Sequence, residues 1–334
     1  SRGLGDVYKR QGLYTYFYMM DSKTGNYKKM QSCKHQEPCL YPLDFDLDNR
    51  HVFAVGQAVL ADGTLDPDWE YTDTNALWLY DSETGKVVEK VFHDKKYDFS
   101  NPRQGYSDGY VLIDRVNKKL LGLSYYADKR KYVYYDQGYA NLRESVKATF
   151  PGKIVSIVPN SDFTKVIINT SSEKDPGTGY FYDVSKGKIE FIASYAPWLQ
   201  DYDLGSTYPF EFTARDGVEL MGYLTLPPGY KKGDKIPFIL HPHGGPNAKD
   251  RFGFNPEVQI YATRGYGVLQ INYRGSVGFG LKEMKLANKQ WSLAMHDDLL
   301  DGLFWANDQG YVNMDKVCIS CLLYTSPSPR DSSK

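Results

Sequence analysis

The chain has 334 residues, a net charge of -1 and a 15% aromatic share. That length suits two domains, and the balanced charge gives no basis for a nucleic-acid or anionic-membrane partner. No apolar run approaches the roughly 20 residues that a bilayer-spanning helix needs. The wealth of tyrosine and phenylalanine favours β structure. No basic-then-apolar amino-terminal segment with a small-residue cleavage site is visible, so the expectation is a soluble protein, cytoplasmic or periplasmic, with its compartment and oligomeric state open. Among the four cysteines, Cys33 and Cys39 are close enough to close a small loop if oxidised. Unpaired thiols are the plainer reading, since the compartment is unknown. Cys318, inside an apolar run, reads as a small core residue.

In chain order, residues 1–11 show no apolar period and do not lead into the strand at Tyr14. Residues 323–334 are of low complexity, Tyr-Thr-Ser-Pro-Ser-Pro-Arg-Asp-Ser-Ser-Lys after one Leu. Both read as non-native-looking tails of translated adapter or vector sequence and are left out of fold reasoning. The natural segment, about Gly12 to Ser320, is expected to be a piece of a longer protein.

From Leu13 to about Ala193 one pattern recurs: an aromatic or aliphatic run, an Asp, then a Gly and another strand-like run. Phe17 to Asp21 leads to Gly25, Trp78 to Asp81 leads to Gly85, Tyr134 to Asp136 leads to Gly138, and Phe181 to Asp183 leads to Gly187. Such turns suit short hairpin loops in which Gly supplies a positive φ. Short-strand repeats at roughly 45 to 60 residues mark propeller blades. A β-sandwich would not require the same hairpin to recur. Residues 12–200 are therefore expected to form a partial β-propeller of three to four blades, fewer than most closed propellers contain. Asp46 to Asn49 and Asn160 to Asp162 fit turns and are given no chemical role.

Around Pro197 to Tyr208 the repeat stops. Phe210 to Tyr230 reads as a strand, an Asp-Gly turn at Asp216-Gly217 and a second strand closed by Pro-Pro-Gly. Strands and helices then alternate. The apolar runs Ile236 to Leu240, Tyr266 to Ile271 and Lys316 to Ser320 read as buried strands, with helices near Pro256 to Thr263, Leu281 to Gln290 and Asp297 to Asn307. In the last helix Leu299, Leu300, Leu303, Phe304 and Ala306 share a face, and Asp297 suits its amino terminus. Residues 205–322 are thus expected to form an α/β domain with a mainly parallel sheet.

The strand Ile236 to Leu240 turns abruptly into His241-Pro242-His243-Gly244-Gly245-Pro246. Adjacent glycines let the backbone approach a bound group and turn its amides outward, and a strand ending in His-Gly-Gly is one way to build part of an oxyanion hole. The next strand ends in Asn272-Tyr273-Arg274-Gly275-Ser276. Two glycine-rich exits on one sheet edge mark where open α/β sheets bind ligands.

The combination of a propeller, Arg-Asp-Gly-x-x-Leu, Leu-x-x-Pro-x-Gly-Tyr, His-Gly-Gly-Pro, Asn-Tyr-Arg-Gly-Ser-x-Gly-Phe-Gly and Met-x-Asp-Asp resembles the prolyl oligopeptidase family of serine peptidases. Within it, the acylaminoacyl-peptidase and dipeptidyl-peptidase-like branch is the nearest. The resemblance is strong from Phe210 to Ile319 and only architectural over the propeller. It implies an α/β-hydrolase domain, of which this chain holds the amino-terminal half, and a peptidase that cleaves short peptides through an acyl-enzyme with a Ser, His and Asp. A carboxylesterase on the same fold, or a propeller-based binding protein with a degenerate hydrolase domain, are the alternatives.

In that family the serine sits in G-x-S-x-G-G directly after the strand that here reads Val317-Cys318-Ile319-Ser320. Here Cys321-Leu322-Leu323 follows instead, and no G-x-S-x-G stands after that strand. No catalytic residue is therefore assigned, and the chain itself is expected to be inactive. Ser320 has no glycine two residues before or after it and is not read as the nucleophile. The oxyanion-hole candidates are Gly244, Gly245 and His243. The resemblance points mainly to the Gly245 amide, and puts His243 where relatives carry a Tyr that helps bind the oxyanion; a hydrogen bond that shapes the loop is its rival role. Tyr273 and Arg274 are expected to brace the active-site loops or contact substrate, and His241 to pack beneath the loop. Asp297 and Asp298 read as helix-capping or loop-holding carboxylates rather than a metal site, and Trp291 and Trp305 as core residues. No metal or cofactor is expected, since His241 and His243 lack a third ligand nearby. The expected partner is a peptide substrate.

Overall fold

The computed structural model describes residues 9–11, 14–20, 24–102 and 108–320. The carboxy-terminal tail set aside in sequence, residues 323–334, lies outside them, as do residues 1–8. The chain divides into two compact units, residues 1–136 with 277–285, and residues 137–276 with 286–334. The division falls at residue 136 rather than near residue 200.

The first unit contains three antiparallel sheets. Strands β1 (Lys9–Gln11), β2 (Tyr14–Met20) and β3 (Tyr27–Lys34) form the first. Lys9–Gln11, assigned in sequence to the tail, pairs with β2. The second sheet runs in simple order through β4 (Leu40–Phe45), β5 (His51–Gly56), β6 (Ala76–Asp81) and β7 (Lys86–Phe92). The third holds β8 (Tyr110–Asp114), β9 (Lys119–Tyr126) and β10 (Arg130–Tyr134). Cys33 and Cys39 are joined by a disulfide, which corrects the expectation of free thiols. Both are buried with Phe17, Leu40, Ala54 and Trp78 in one apolar cluster, and the bond covalently ties the first sheet to the second.

The second unit opens with helix α1 (Gln137–Thr149), where the sequence pattern predicted a hairpin at Gly138. Tyr139, Arg143 and Val146 are its buried residues. Their spacing of four and three is helical, and it overrides the Asp-to-Gly signal. The other three turns hold, with positive φ at Gly25 (71°), Gly85 (76°) and Gly187 (62°). A four-stranded antiparallel sheet follows, β11 (Ile154–Pro159), β12 (Lys165–Ser172), β13 (Asp175–Asp183) and β14 (Lys188–Ser194), again in sequential order.

The remaining elements of the second unit are β15 (Ser206–Thr213), β16 (Glu219–Leu226), β17 (Ile236–Leu240), α2 (Pro256–Ala262), β18 (Gly267–Asn272), α4 (Ala294–Asp308) and β19 (Val312–Ile319); α3 (Leu281–Lys285) belongs to the first unit. Their strands form one sheet in the order β15-β16-β18-β17-β19. β15, β16 and β18 pair antiparallel, whereas β17 runs parallel to both β18 and β19. All six residues of central β18 are buried, as expected of a strand covered on both faces. Phe210, Phe212, Phe238, Leu269 and Ile271 pack with Leu299, Leu303 and Ala306 of α4 in one core.

Several expectations for this region change. Among the described residues β19 has a neighbour only on the β17 side, and Cys318 is exposed there, where the sequence suggested a core residue. α3 is confined to five residues. α4 starts at Ala294, before Asp297, and buries Asp298 and Gly302 on its inner face while Phe304 is exposed. Trp291 is 54% exposed, so it is not a core residue. Trp305 stacks on Phe210 with centroids 4.1 Å apart. No helix among the described residues is long and apolar enough to cross a membrane.

Candidate functional site

The parallel pairing of β17 with its two neighbours brings three chain exits to one edge of the sheet. Leu240 lies in register with Leu269 and with Ile319. Just beyond, the His241 amide donates to Leu269 O at 2.8 Å and the Ser320 amide donates to Leu240 O at 2.9 Å. His241 is buried, with Nδ1 3.0 Å from Ser320 O, where the sequence placed a residue packed under the loop. The Ser320 hydroxyl meets the Tyr261 hydroxyl at 2.7 Å.

The turn that leaves β18 is anchored from below. Arg274 is only 5% exposed and Asp298 is fully buried. The guanidinium donates through Nε to Asp298 Oδ2 (2.8 Å) and through Nη2 to Asp298 Oδ1 (2.6 Å), while the Arg274 amide also donates to Asp298 Oδ2 (2.9 Å). On its other side Nη1 and Nη2 donate to the two oxygens of Asp216 at 2.7 and 3.0 Å. Bidentate, charge-assisted bonds of this kind are both strong and directional. Hydrogen bonds to Asp298 and Asp216 raise the guanidinium above its already high range, and Arg274 holds the Asp216 carboxyl below the ordinary carboxylate value. The Arg274 guanidinium thus meets Asp298 on one side and Asp216 on the other. Asp297 lies in the first turn of α4 and pairs with Arg215 at 3.1 Å.

The anchored turn in turn holds the His-Gly-Gly loop that leaves β17. The rings of Tyr273 and His243 stack with centroids 4.5 Å apart, and the Tyr273 hydroxyl donates to His243 O at 2.9 Å. His243 Nε2 lies 2.9 Å from the Ser276 hydroxyl and Nδ1 lies 2.9 Å from Gly244 O. Further along, Asn247 Nδ2 donates to Gly275 O at 3.0 Å. The Asp250 amide donates to Asn272 Oδ1 at 2.8 Å, and Gln270 Nε2 donates to Asp250 Oδ1, also at 2.8 Å. These five hydrogen bonds and one ring stack therefore connect residues 243–250 to residues 270–276. Between them Gly244 and Gly245 are exposed, with Gly245 at φ 136°.

Two titratable groups stand out on this loop. Burial pushes His243 down to about 4, so its imidazole is neutral. Burial pushes the Asp250 carboxyl up to about 7, and its Oδ2 is buried without a hydrogen-bond partner. Both ring nitrogens of His243 face groups of the protein itself. Sequence reading named the glycines, Tyr273 and Arg274 but gave no role to Ser276, Asn247, Asp250 or Asp216. Ser276 and Asp216 stood inside quoted motifs, whereas Asn247 and Asp250 lie in a polar stretch with no pattern of its own.

In the first unit, Asp46, Asp48 and His51 place ligand-type atoms within 4.8 Å of one another. Asp48 is engaged there by the amides of Arg50 and His51 and by His51 Nδ1. That is the hydrogen bonding of a turn between β4 and β5, as the sequence predicted.

Comparison with known proteins fits this geometry. The prolyl oligopeptidase family matches residues 252–320, from just before α2 to the end of β19. Dipeptidyl aminopeptidase BIII of Pseudoxanthomonas mexicana is 33% identical over 255 residues, covering 74% of this chain and 35% of that protein. Dipeptidyl peptidase family member 6 of Caenorhabditis elegans is 30% identical over 260 residues, covering 71% of this chain and 35% of that protein. The chain spans about a third of the length of these curated relatives. Among solved structures, a puromycin-hydrolyzing peptidase of Mycobacterium tuberculosis matches with a TM-score of 0.68 over 92% of this chain and 45% of that one, at 14% identity. An acylaminoacyl peptidase of Pyrococcus horikoshii matches with a TM-score of 0.59 over 96% of this chain and 46% of that one, at 18% identity. At these identities the structural likeness speaks for the fold alone.

Proposed function

Because the chain belongs to the prolyl oligopeptidase family, we propose that the protein it represents is a serine peptidase that cleaves short peptides through an acyl-enzyme. In this reading the four sequential antiparallel sheets are blades of a β-propeller, and the mixed sheet β15–β19 is the amino-terminal half of an α/β-hydrolase domain. The Gly245 amide, with Gly244 beside it, donates to the oxyanion of the tetrahedral intermediate. A preorganised donor of this type is worth about 3 kcal/mol of barrier when it is removed elsewhere. Tyr273 and Arg274 hold that amide in place without touching substrate.

The observation that carries the reading is the adjacency of the β17 and β19 exits. In a hydrolase of this kind the nucleophile follows the strand beside the oxyanion loop. Here the loop after Leu240 and the residue after Ile319 are joined by the Ser320 to Leu240 hydrogen bond. No G-x-S-x-G follows Ile319 in this sequence, and Ser320 Oγ is engaged by Tyr261 rather than by an imidazole.

Two experiments test this. The full-length gene product should hydrolyse peptide anilides; turnover of simple esters alone would replace the peptidase reading with a carboxylesterase. The present chain should not be labelled by an active-serine fluorophosphonate. Stoichiometric labelling would mean that the nucleophile lies within these residues.

A further inference from the structure

Residues 195–204 join the antiparallel sheet β11–β14 to the mixed sheet. Tyr195, Trp198 and Tyr202 are all exposed there, and boundaries between domains fall in such segments. Yet both sheets belong to one compact unit, and the two ends of the segment show how. At its start the Tyr195 amide donates to Gly177 O of β13 at 3.0 Å. At its end Leu204 and Gly205 are buried, and Gly205 meets Gln259 of α2.

Gln259 lies on the buried face of α2 and is only 5% exposed. A side-chain amide in that setting is costly unless its polar atoms are paired. Its Oε1 accepts from the Gly205 amide at 2.8 Å, and its Nε2 donates to Gly205 O at 3.0 Å and to Glu173 O at 2.9 Å. Both Nε2 protons are used, and a flipped amide would set Oε1 against two carbonyl oxygens. Gln259 thus pairs with both backbone groups of Gly205, much as a neighbouring strand would. Glu173 lies in the turn between β12 and β13, whereas Gly205 leads into β15. One side chain therefore holds both sheets to one helix. There is no slack around Gly205, because an added Cβ would lie 2.7 Å from the Ala262 Cβ of α2 and 2.8 Å from Leu226 O at the end of β16.

The same helix also faces the strand exits. Glu257 Oε2 lies 3.4 Å from His241 Nε2, and the Tyr261 hydroxyl meets that of Ser320. We propose that Gln259 is a lock: it makes the sheet β11–β14, α2 and the mixed sheet one mechanical body, so that the exposed segment 195–204 is not a hinge. Through α2 the lock also ties the antiparallel sheet to the strand ends at His241 and Ser320. The use of that tie in catalysis rests on the peptidase reading given above, but the lock does not.

The test combines residual dipolar couplings and hydrogen exchange of backbone amides in the deuterated, ¹⁵N-labelled chain. In the wild type, couplings from β11–β14 and from β15–β18 should fit one alignment tensor, and the Gly205 amide should be protected. Gln259→Glu keeps the shape but loses both donors and sets a carboxylate oxygen against two carbonyls. It should quicken Gly205 exchange by about tenfold and weaken the alignment of β11–β14 relative to β15–β18. Different tensors for the two sheets in the wild type overturn the proposal, as does a folded Gln259→Glu chain with one tensor and an unchanged Gly205 amide. Should Gln259→Glu fail to keep the cross-peaks of Phe238 to Leu240, Gln259→Asn, which withdraws the amide by one methylene, is read by the same two outcomes. Lack of peptide hydrolysis by the full-length protein would sink the peptidase reading without touching this result, and separate tensors would sink the lock while leaving peptide hydrolysis intact.

Discussion

The two loops that leave the neighbouring strands β17 and β18 are built on opposite principles. The β18 exit, residues 272–276, is buried and over-determined. Arg274 is held by two carboxylates, Ser276 is sealed in, and Asn272 bonds the facing loop. The β17 exit, residues 241–250, carries exposed glycines and a buried carboxyl oxygen without a partner. The difference teaches where order comes from. A loop that leaves its glycines exposed has little packing of its own, so it borrows rigidity from a neighbour that is buried. Hydrogen bonds run from α4 and the Asp216 turn into Arg274, and from the Arg274 turn into the glycine loop.

If this division of labour is right, damage to the β18 exit should cost most. Arg274→Met leaves Asp298 buried and uncompensated. Breaking one side of a buried ion pair costs about 3–5 kcal/mol, so urea unfolding should lose stability on that scale. Loss below about 1 kcal/mol would show the pair to be no stronger than a surface bridge. The next largest effect is expected at Gly275, whose φ is 93° and whose added Cβ would collide with the Ala287 Cβ. Gly275→Ala should cost about 2 kcal/mol through backbone strain and the clash. It should also shift the amide resonances of Asn247, because Asn247 bonds Gly275 O. Unshifted Asn247 resonances would separate the two loops.

The contrast also explains what could be read from the amino-acid sequence. Elements that depend on periodicity were legible: the runs at Phe238 to Leu240 and Val268 to Ile271 became adjacent parallel strands, and three of four Asp-to-Gly turns became hairpins. The fourth failed because Gly138 belongs to a helix whose buried residues are Tyr139, Arg143 and Val146, a local pattern that a repeat template conceals. Motifs marked the site by its glycines and by Arg274. The partners of these residues were not legible, because Asp216, Ser276 and Asp250 reach them across 58, 33 and 20 residues of sequence. The Cys33–Cys39 disulfide depended on geometry that spacing alone does not fix.

On the weaker loop, the effects should be smaller and should depend on pH. The Asp250 carboxyl titrates at about 7 in the folded chain because of burial, against about 3.9 in an unfolded one. A carboxyl raised on folding contributes its stabilisation when protonated. That contribution is complete below about pH 4 and is lost as the pH rises through about 7. Wild-type stability should therefore fall between about pH 5 and pH 8 by about 2 kcal/mol from this group. Asp250→Asn keeps the Gln270 bond and removes the titration, so its urea midpoint should vary less over the same range. An unchanged slope would mean that Asp250 is better solvated than its buried Oδ2 indicates.

The smallest expected effect is also the most discriminating one. Tyr273→Phe removes the hydroxyl that donates to His243 O but keeps the ring stacked on the imidazole. A hydrogen bond to a partly accessible carbonyl contributes about 1 kcal/mol, and His243 O sits on the loop rather than in the core. If the β18 exit is a template, this loss should appear in the glycine loop and nowhere else. Amide hydrogen exchange at residues 243–247 should quicken by about fivefold, while Arg274 and the residues of β18 keep their protection. Equal acceleration in both loops would instead make them one cooperative unit, in which rigidity is shared rather than lent.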